Sequence, residues 1–331
     1  MTESTAGAAP EGGRQETFRE RLAYLGFATM ERLAMGLPER AGGALFELAG
    51  LAAWRLFPRP RRTVQSNLSR VLGESPNSPL AEAAAKEVFR SYARYWFESF
   101  HLRVLSDEDV NRRFRMEGRE HIDRAVSEGR GAVLALPHLG NWDVAGHWLH
   151  LQGYRMVAVA EQLRPRALYE LFYRHRVALG MQIVPLAERR ALGEELARRL
   201  AANELLTLVA DRALRGRGVQ VEMFGAARPL PPGPAALSLS TGSPLLPAAI
   251  YDHDGGWLCV IRPPISIEPT GDRRTDVAAL TRALASEFER AIEAAPTQWH
   301  MLQPAWPEEG VQRESRGVPA DRSEGIHGGG G

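Results

Sequence analysis

The chain has 331 residues, 44% of them hydrophobic, enough to bury a sizeable core. Its formal net charge of +1 singles out no acidic or basic partner, although all but one of its 41 basic residues are arginine, the exception being Lys86. The single cysteine, Cys259, excludes an intrachain disulfide and a cysteine-based zinc site and fits a reducing compartment.

Residues 1–15 are small and polar, lack the basic start and apolar core of a secretory leader, and are expected to be disordered. Helical spacing then predicts an N-terminal helical region, with helices over Thr17–Met35, Ala41–Phe57, Thr63–Leu72 and Leu80–Leu105. Ala41–Phe57 is the most apolar of these. It carries Glu47 and Arg55 and is short for a span, so it reads as a buried or interfacial helix. From Phe114 the pattern changes to short β-rich runs alternating with helical ones. Strands are predicted over Phe114–Glu117, Ala132–Leu136, Arg155–Ala160, Gln182–Pro185, Leu205–Ala210, Val219–Phe224, Leu245–Tyr251 and Trp257–Ile261. Helices are predicted over Glu120–Glu128, Trp142–Gln152, Pro165–Leu179, Ala191–Ala202, Pro234–Thr241 and Thr275–Ala294. The alternation predicts an α/β fold with a central, mostly parallel mixed sheet flanked by helices. Short connections at the Val219 and Trp257 runs place antiparallel pairs there. The expected organisation is one domain over 16–307, with a helical part to 113 and an α/β core beyond, and a second disordered tail over 308–331.

Within "GRGAVLALPHLGNWD" (Gly129–Asp143) the apolar run ends abruptly in His138. With the His and Asp content of this chain, about 0.3 H-x4-D matches would arise by chance, so the setting matters more than the match. His138 lies beyond the strand, Asn141 is a good N-cap, and Asp143 falls in the first helical turn. In one continuous helix, residues five apart diverge by about 140°. A turn instead lets Asp143 approach His138. Imidazole titrates near neutrality, and a carboxylate can fix its tautomer, so the pair suits a general base. The alternative is a histidine packed at a strand end and an aspartate that merely favours the helix start.

Asp143, His147 and His150 have helical ligand spacing, but nothing supplies clear further ligands, and no metal is expected. Arg164, Arg166, Arg174 and Arg176 could meet phosphates, Arg176 foremost and then Arg164. Tyr169, Phe172 and Tyr173 read as a packing stripe or an acyl groove. "RGRG" at Arg215–Gly218 precedes a strand and lacks the third glycine of a dinucleotide loop, so neither a nucleotide nor a nucleic acid is read there. Neither a G-x-S-x-G elbow nor a phosphate loop occurs, which argues against a serine hydrolase.

"SYARYW" (Ser91–Trp96), the Gly129–Asp143 stretch, "VAEQLRP" (Val159–Pro165), "VADR" (Val209–Arg212), "GVQVEMFG" (Gly218–Gly225), "PPGPAAL" (Pro231–Leu237) and "WHMLQPAW" (Trp299–Trp306) together resemble the H-x4-D acyltransferases. The resemblance is greatest to the branch holding the lipid A biosynthesis and phosphatidylinositol mannoside acyltransferases. It implies a peripheral enzyme on the cytoplasmic face of the cell membrane, moving a fatty acyl chain, palmitoyl by preference, from acyl-CoA to a mannose hydroxyl of phosphatidylinositol mannoside. Acyl-CoA would be a co-substrate; no cofactor is implied. It also implies His138 as general base and Asp143 as the motif acid. Asp211 sits where the family usually has Glu and would relay charge to the histidine over a shorter reach. Glu161, Arg176 and Ser240 match positions near the site, and Arg164 and Arg212 join them as substrate-binding candidates. Another glycolipid acceptor, a thioesterase, and a catalytically silent lipid-binding protein are the alternatives.

Overall fold

The computed structural model describes residues 16–186, 189–213 and 218–306. The tails expected over 1–15 and 308–331, and most of the "RGRG" stretch, lie outside them. Four long helices come first: α1 (Phe18–Gly36), α2 (Glu39–Leu56), α3 (Pro58–Leu72) and α4 (Pro79–His101). Thr17 starts α1 with a capping box, its side chain accepting from the Glu20 N–H while Glu20 bonds back to the Thr17 N–H. Pro58 stands in the first turn of α3, where its missing N–H is not needed, so α3 starts earlier than Thr63. The predicted helix to Leu105 stops instead at His101. Ser106 then accepts from the Asp109 N–H and starts a separate short helix, α5 (Asp107–Arg113), which the pattern had not separated.

The core follows as β1 (Phe114–Glu117), α6 (Arg119–Ser127), β2 (Ala132–Leu136), α7 (Trp142–Leu151), β3 (Met156–Ala160), α8 (Arg166–Ala178), β4 (Gln182–Pro185), α9 (Arg189–Ala201) and β5 (Leu205–Val209). The chain continues through β6 (Val219–Met223), β7 (Ala226–Leu230), α10 (Gly233–Thr241), β8 (Leu245–His253), β9 (Gly256–Ile261) and α11 (Arg273–Ala294). Seven strands form one sheet in the order β1-β9-β8-β2-β5-β3-β4, parallel except for the β8–β9 pair. β6 and β7 form a separate hairpin that turns at Phe224-Gly225, both at positive φ. Its second strand escaped the sequence reading because Arg228 and Pro229 interrupt any apolar run.

Strand β2 is buried throughout, as a central parallel strand with both faces covered should be. Its alternation divides the core. Ala132, Leu134 and Leu136 pack with Val144, Ala145 and Trp148 of α7. Val133 and Ala135 face the other way, into a cluster with Leu196 and Leu200 of α9 and Leu280, Leu284 and Phe288 of α11. A third cluster joins Ala34, Phe46, Phe97 and Phe100 to Leu168, Leu171 and Phe172 of α8, and so fastens the N-terminal helices to the core.

The turn leaving β2 depends on Gly140. Its φ is +60°, and a Cβ there would stand 2.1 Å from the carbonyl oxygen of Ile250. Neither the left-handed backbone nor the close approach to β8 suits a side chain. Gly140→Ala is expected to lower the melting temperature by roughly several degrees and to reduce activity with it, since the turn must move. Calorimetry alongside a turnover assay checks this; a variant with wild-type melting temperature and turnover refutes it.

Candidate active site

Parallel register builds the centre of the site. Leu136 of β2 pairs with Val209 of β5, so the positions two residues past each strand end, His138 and Asp211, emerge side by side. His138 Nδ1 lies 2.5 Å from Asp211 Oδ1. The other carboxylate oxygen, Oδ2, accepts the His138 backbone N–H at 3.0 Å and the Trp299 indole N–H at 2.8 Å. An ionised carboxylate only accepts, so Nδ1 carries the proton and Nε2 keeps its lone pair. The His138 side chain is 35% exposed, whereas that of Asp211 is wholly buried. Burial pushes the Asp211 carboxyl up, but the His138 charge and hydrogen bonds, together with Trp299, bring it down to about 2. Behind it, Arg228 donates from Nη2 to the Asp211 carbonyl oxygen at 2.5 Å and stacks over Trp306.

Asp143 has another task. Asn141 caps α7 by accepting the Val144 N–H at 3.3 Å, and the first turn of the helix carries Asp143 inward. Its Oδ1 accepts from Arg176 Nε at 3.0 Å; its Oδ2 accepts from Ser99 Oγ at 2.7 Å and Tyr95 Oη at 3.1 Å. Burial raises the carboxyl, yet the nearby Arg176 charge, His175 and these bonds hold it below its ordinary range. Arg176 is covered too, its guanidinium 4.3 Å from the centre of the Trp142 ring. The expected approach of Asp143 to His138 is therefore replaced by a brace linking α4, α7 and α8. The turn frees His138 from the helix, but α7 then directs its first acidic residue toward α4 and α8.

The other expected residues divide between two ends of the sheet. Glu161 and Arg212 form a 3.2 Å ion pair, and Arg212 also donates to Gln303 at 2.8 Å; both follow carboxyl ends of strands, the end that bears His138 and Asp211. Arg164 is exposed just before α8. Ser240 is not brought to this end. It lies in the last turn of α10, which leads into the amino end of β8, and its hydroxyl donates to the Leu237 carbonyl. His147 places Nδ1 3.0 Å from the Leu179 carbonyl oxygen, and His150 is exposed, so neither shares a polar partner with Asp143.

Several residues of the site lie in the family-like stretches "SYARYW" and "WHMLQPAW", but no spacing ties them to His138. Trp299 is 88 residues from Asp211, and Ser91 Oγ meets His300 Nε2 at 2.9 Å across 209 residues. Burial, then the His138 and Arg94 charges, push His300 down to about 3, so it is neutral. Glu98 accepts from Trp257 Nε1 at 2.9 Å and Asn141 Nδ2 at 3.2 Å under the turn, where burial raises it to about 7. A small apolar cavity lies between the sheet and α7. Leu134, Leu136, Trp142, Gly146, Met156 and Ile250 line it, and Leu136 and Trp142 flank the His138 turn.

A helix-flanked α/β sheet that sets a partly exposed histidine against a buried aspartate at the carboxyl ends of its strands has the parts of an acid–base site. The chain belongs to the bacterial lipid A biosynthesis acyltransferase family, whose description matches it over residues 14–308. It is 38% identical over 304 residues to the phosphatidylinositol mannoside acyltransferase of Mycolicibacterium smegmatis, covering 91% of this chain and 94% of that protein. It is 41% identical over 249 residues to the protein of that name from Mycobacterium tuberculosis, covering 73% and 76%. With a lipid A biosynthesis acyltransferase of Haemophilus influenzae it shares 24% identity over 231 residues.

The Asp211 environment has a consequence for stability. Its carboxyl falls from an ordinary 3.8 to about 2 on folding. The carboxylate therefore contributes fully above the unfolded value, and that contribution is lost as pH falls toward 2. Wild type is expected to lose about 1 kcal/mol more than Asp211→Asn between pH 5 and pH 3. Urea denaturation of both proteins at the two pH values measures the difference; parallel losses refute it.

Proposed function

We propose that this protein transfers a fatty acyl chain, palmitoyl by preference, from acyl-CoA to a mannose hydroxyl of phosphatidylinositol mannoside, with His138 as general base. The observation that carries the proposal is the Asp211–His138 pair, whose geometry leaves Nε2 as the proton acceptor. Nε2 takes the proton of the acceptor hydroxyl, and its oxygen attacks the thioester carbonyl. The tetrahedral intermediate collapses with cleavage of the C–S bond. The CoA thiolate then takes the proton back from His138, so no group is left on the protein. Asp211 stabilises the imidazolium while it exists. The Glu161–Arg212 pair and Arg164, at the same end of the sheet, border the polar substrate parts. Relatives at 38% and 41% identity with the mannoside name support the acceptor class.

His138→Ala is expected to fold normally and to lose about 10²–10⁴-fold in turnover. The assay follows CoA release with and without glycolipid acceptor. Release that requires acceptor supports transfer; release without it identifies a thioesterase; none identifies a binding protein. Near-wild-type transfer by folded His138→Ala would falsify the mechanism.

The acceptor is a membrane lipid, so the protein must reach a bilayer, and we place it peripherally at the cytoplasmic face of the cell membrane. Among the described residues, no helix is long and apolar enough to cross one. Supporting a docking role, Leu45, Leu48 and Leu56 of α2 and Phe57 after it are exposed, as are Phe18, Leu22 and Leu25 of α1. Arg55, Arg59 and Arg62 are exposed nearby. Trp54 is turned inward against the core, with the Arg61 and Lys86 charges over its ring, and takes no part in that apolar surface. Each exposed basic residue near an anionic surface is worth about 1 kcal/mol. Replacing Arg55, Arg59 and Arg62 with Gln is expected to weaken sedimentation with phosphatidylinositol-containing vesicles at low salt while sparing turnover on detergent-solubilised acceptor. Unchanged vesicle binding removes this surface from the docking role.

A further inference from the structure

The chain after α11 returns to the active-site turn. Gly140 N–H donates to the Gln298 carbonyl at 3.1 Å, His300 N–H donates to the His138 carbonyl at 2.7 Å, and Leu139 bridges Trp299 in antiparallel fashion. Residues 298–300 thus lie as a strap along residues 138–140. Both its ends are fastened. Asp252 N–H donates to Gln298 Oε1 at 2.8 Å, and Gln298 Nε2 returns a bond to the Asp252 carbonyl at 3.2 Å. On the far side, buried Asn67 of α3 donates to the Met301 and Gln303 carbonyls, each at 2.9 Å, and accepts the Ala305 N–H at 3.0 Å. Trp299, 1% exposed, is the strap residue whose side chain enters the catalytic pair.

We infer that Trp299 is a positioning residue for acyl transfer: its indole N–H on Asp211 Oδ2 fixes the carboxylate so that Oδ1 faces His138 Nδ1. A carboxylate rotates readily about its terminal bond, because that torsion is broad. Here rotation would break three bonds, from Trp299 Nε1, the His138 backbone N–H and His138 Nδ1. Without the indole N–H, the only bonds that oppose it come from His138 itself, so the carboxylate turns with the residue it should hold. The imidazole then loses a fixed partner for Nδ1, and the proportion of time that Nε2 is aimed at an acceptor hydroxyl falls. Misplacement of this kind can cost about 10²-fold. The inference rests on His138 being the general base, so its test includes a measurement that does not depend on turnover.

Trp299→Phe is expected to lower kcat by roughly ten- to a hundredfold, with KM for acyl-CoA within about twofold of wild type. Trp54→Phe, at a tryptophan of α2 that packs on the core outside the site, is expected to leave kcat near wild type. Should Trp299→Phe fail to fold, replacement of Trp299 by benzothienylalanine keeps the ring shape, removes only the N–H, and is expected to show the same kcat loss. The independent measurement is the indole N–H spectrum by nuclear magnetic resonance. The chain has seven tryptophans, and loss of one signal in a Trp299 variant assigns it. That signal is expected to move upfield in Asp211→Asn, where a neutral acceptor replaces a charged one. A kcat within twofold of wild type in the Trp299 variant, or an equal loss in Trp54→Phe, overturns the positioning role. An indole signal indifferent to Asp211→Asn overturns the bond itself. Retained transfer in His138→Ala instead overturns the general-base reading, while the indole signal still reports on Trp299 and Asp211.

Discussion

The His138–Asp211 pair depends on one register. β2 and β5 run parallel with Leu136 opposite Val209, and an equal overhang of two residues brings His138 to Asp211. Because β2 is covered on both faces, a slip of one residue would exchange its two buried sets and mismatch both layers. The packing of Leu134 and Leu136 against α7, and of Val133 and Ala135 against the other layer, therefore also specifies where an imidazole meets a carboxylate. This register explains how an aspartate reaches the histidine although its side chain is one methylene shorter than the glutamate that the resemblance implies there. The backbone supplies the approach, and the 2.5 Å contact needs no longer side chain.

The two acidic residues are separated by surroundings. Asp211 has a partner that can gain and lose a proton and still reach solvent, at 35% exposure. Asp143 has Arg176, Ser99 and Tyr95, all fixed within the packing of α4, α7 and α8. Removing Arg176 would leave a buried carboxylate without its cation, a change that typically costs about 3–5 kcal/mol. Asp143 is thus suited to holding the histidine turn against the helical region. The aromatic packing of Phe27, Trp96, Phe100 and Phe172 continues that connection into α1 and α8. The same helices present the exposed apolar side chains, so this contact also joins the lipid-facing candidate surface to the His138 turn.

Much of the fold was legible because its period is local. β1, β2 and β4 have the bounds that alternation and apolar runs predict, and α7 begins where Asn141 can cap it. Features set by tertiary contact were not. Arg228 and Pro229 make β7 read as a loop, yet Arg228 is buried because it meets the Asp211 carbonyl and the Trp306 ring. In the site, His138 is legible as a polar residue ending a buried strand. That Asp211, rather than Asp143, faces it follows from strand order, which places β5 beside β2 and is not written in either segment alone. The family resemblance pointed to Asp211, and geometry supplies the physical reason. Trp299 had no comparable spacing signal, since its contact closes a long loop of chain. Ser240 was suggested by matched position, but the amino end of β8 is the wrong end of the sheet for a contact with His138.

Selection among the histidines is likewise a matter of environment. His101 and His147 direct Nδ1 to backbone carbonyls. His175 is held near 4 by burial and stands edge-on against Phe100. His300 is held near 3, again first by burial, and bonds Ser91. His253 has an aspartate, Asp254, but that side chain is 76% exposed and water screens the pair. Among the described residues, His138 alone combines a buried carboxylate with an open ring face. A proton-transfer group needs both features: a partner that stabilises its charged form, and a route by which substrate can present the proton. Burial removes the second from His175, His300 has a serine in place of a carboxylate, and exposure weakens the first at His253. The strand-end position of His138 supplies both, because a parallel sheet buries the residue beside it while leaving the turn above the strand open.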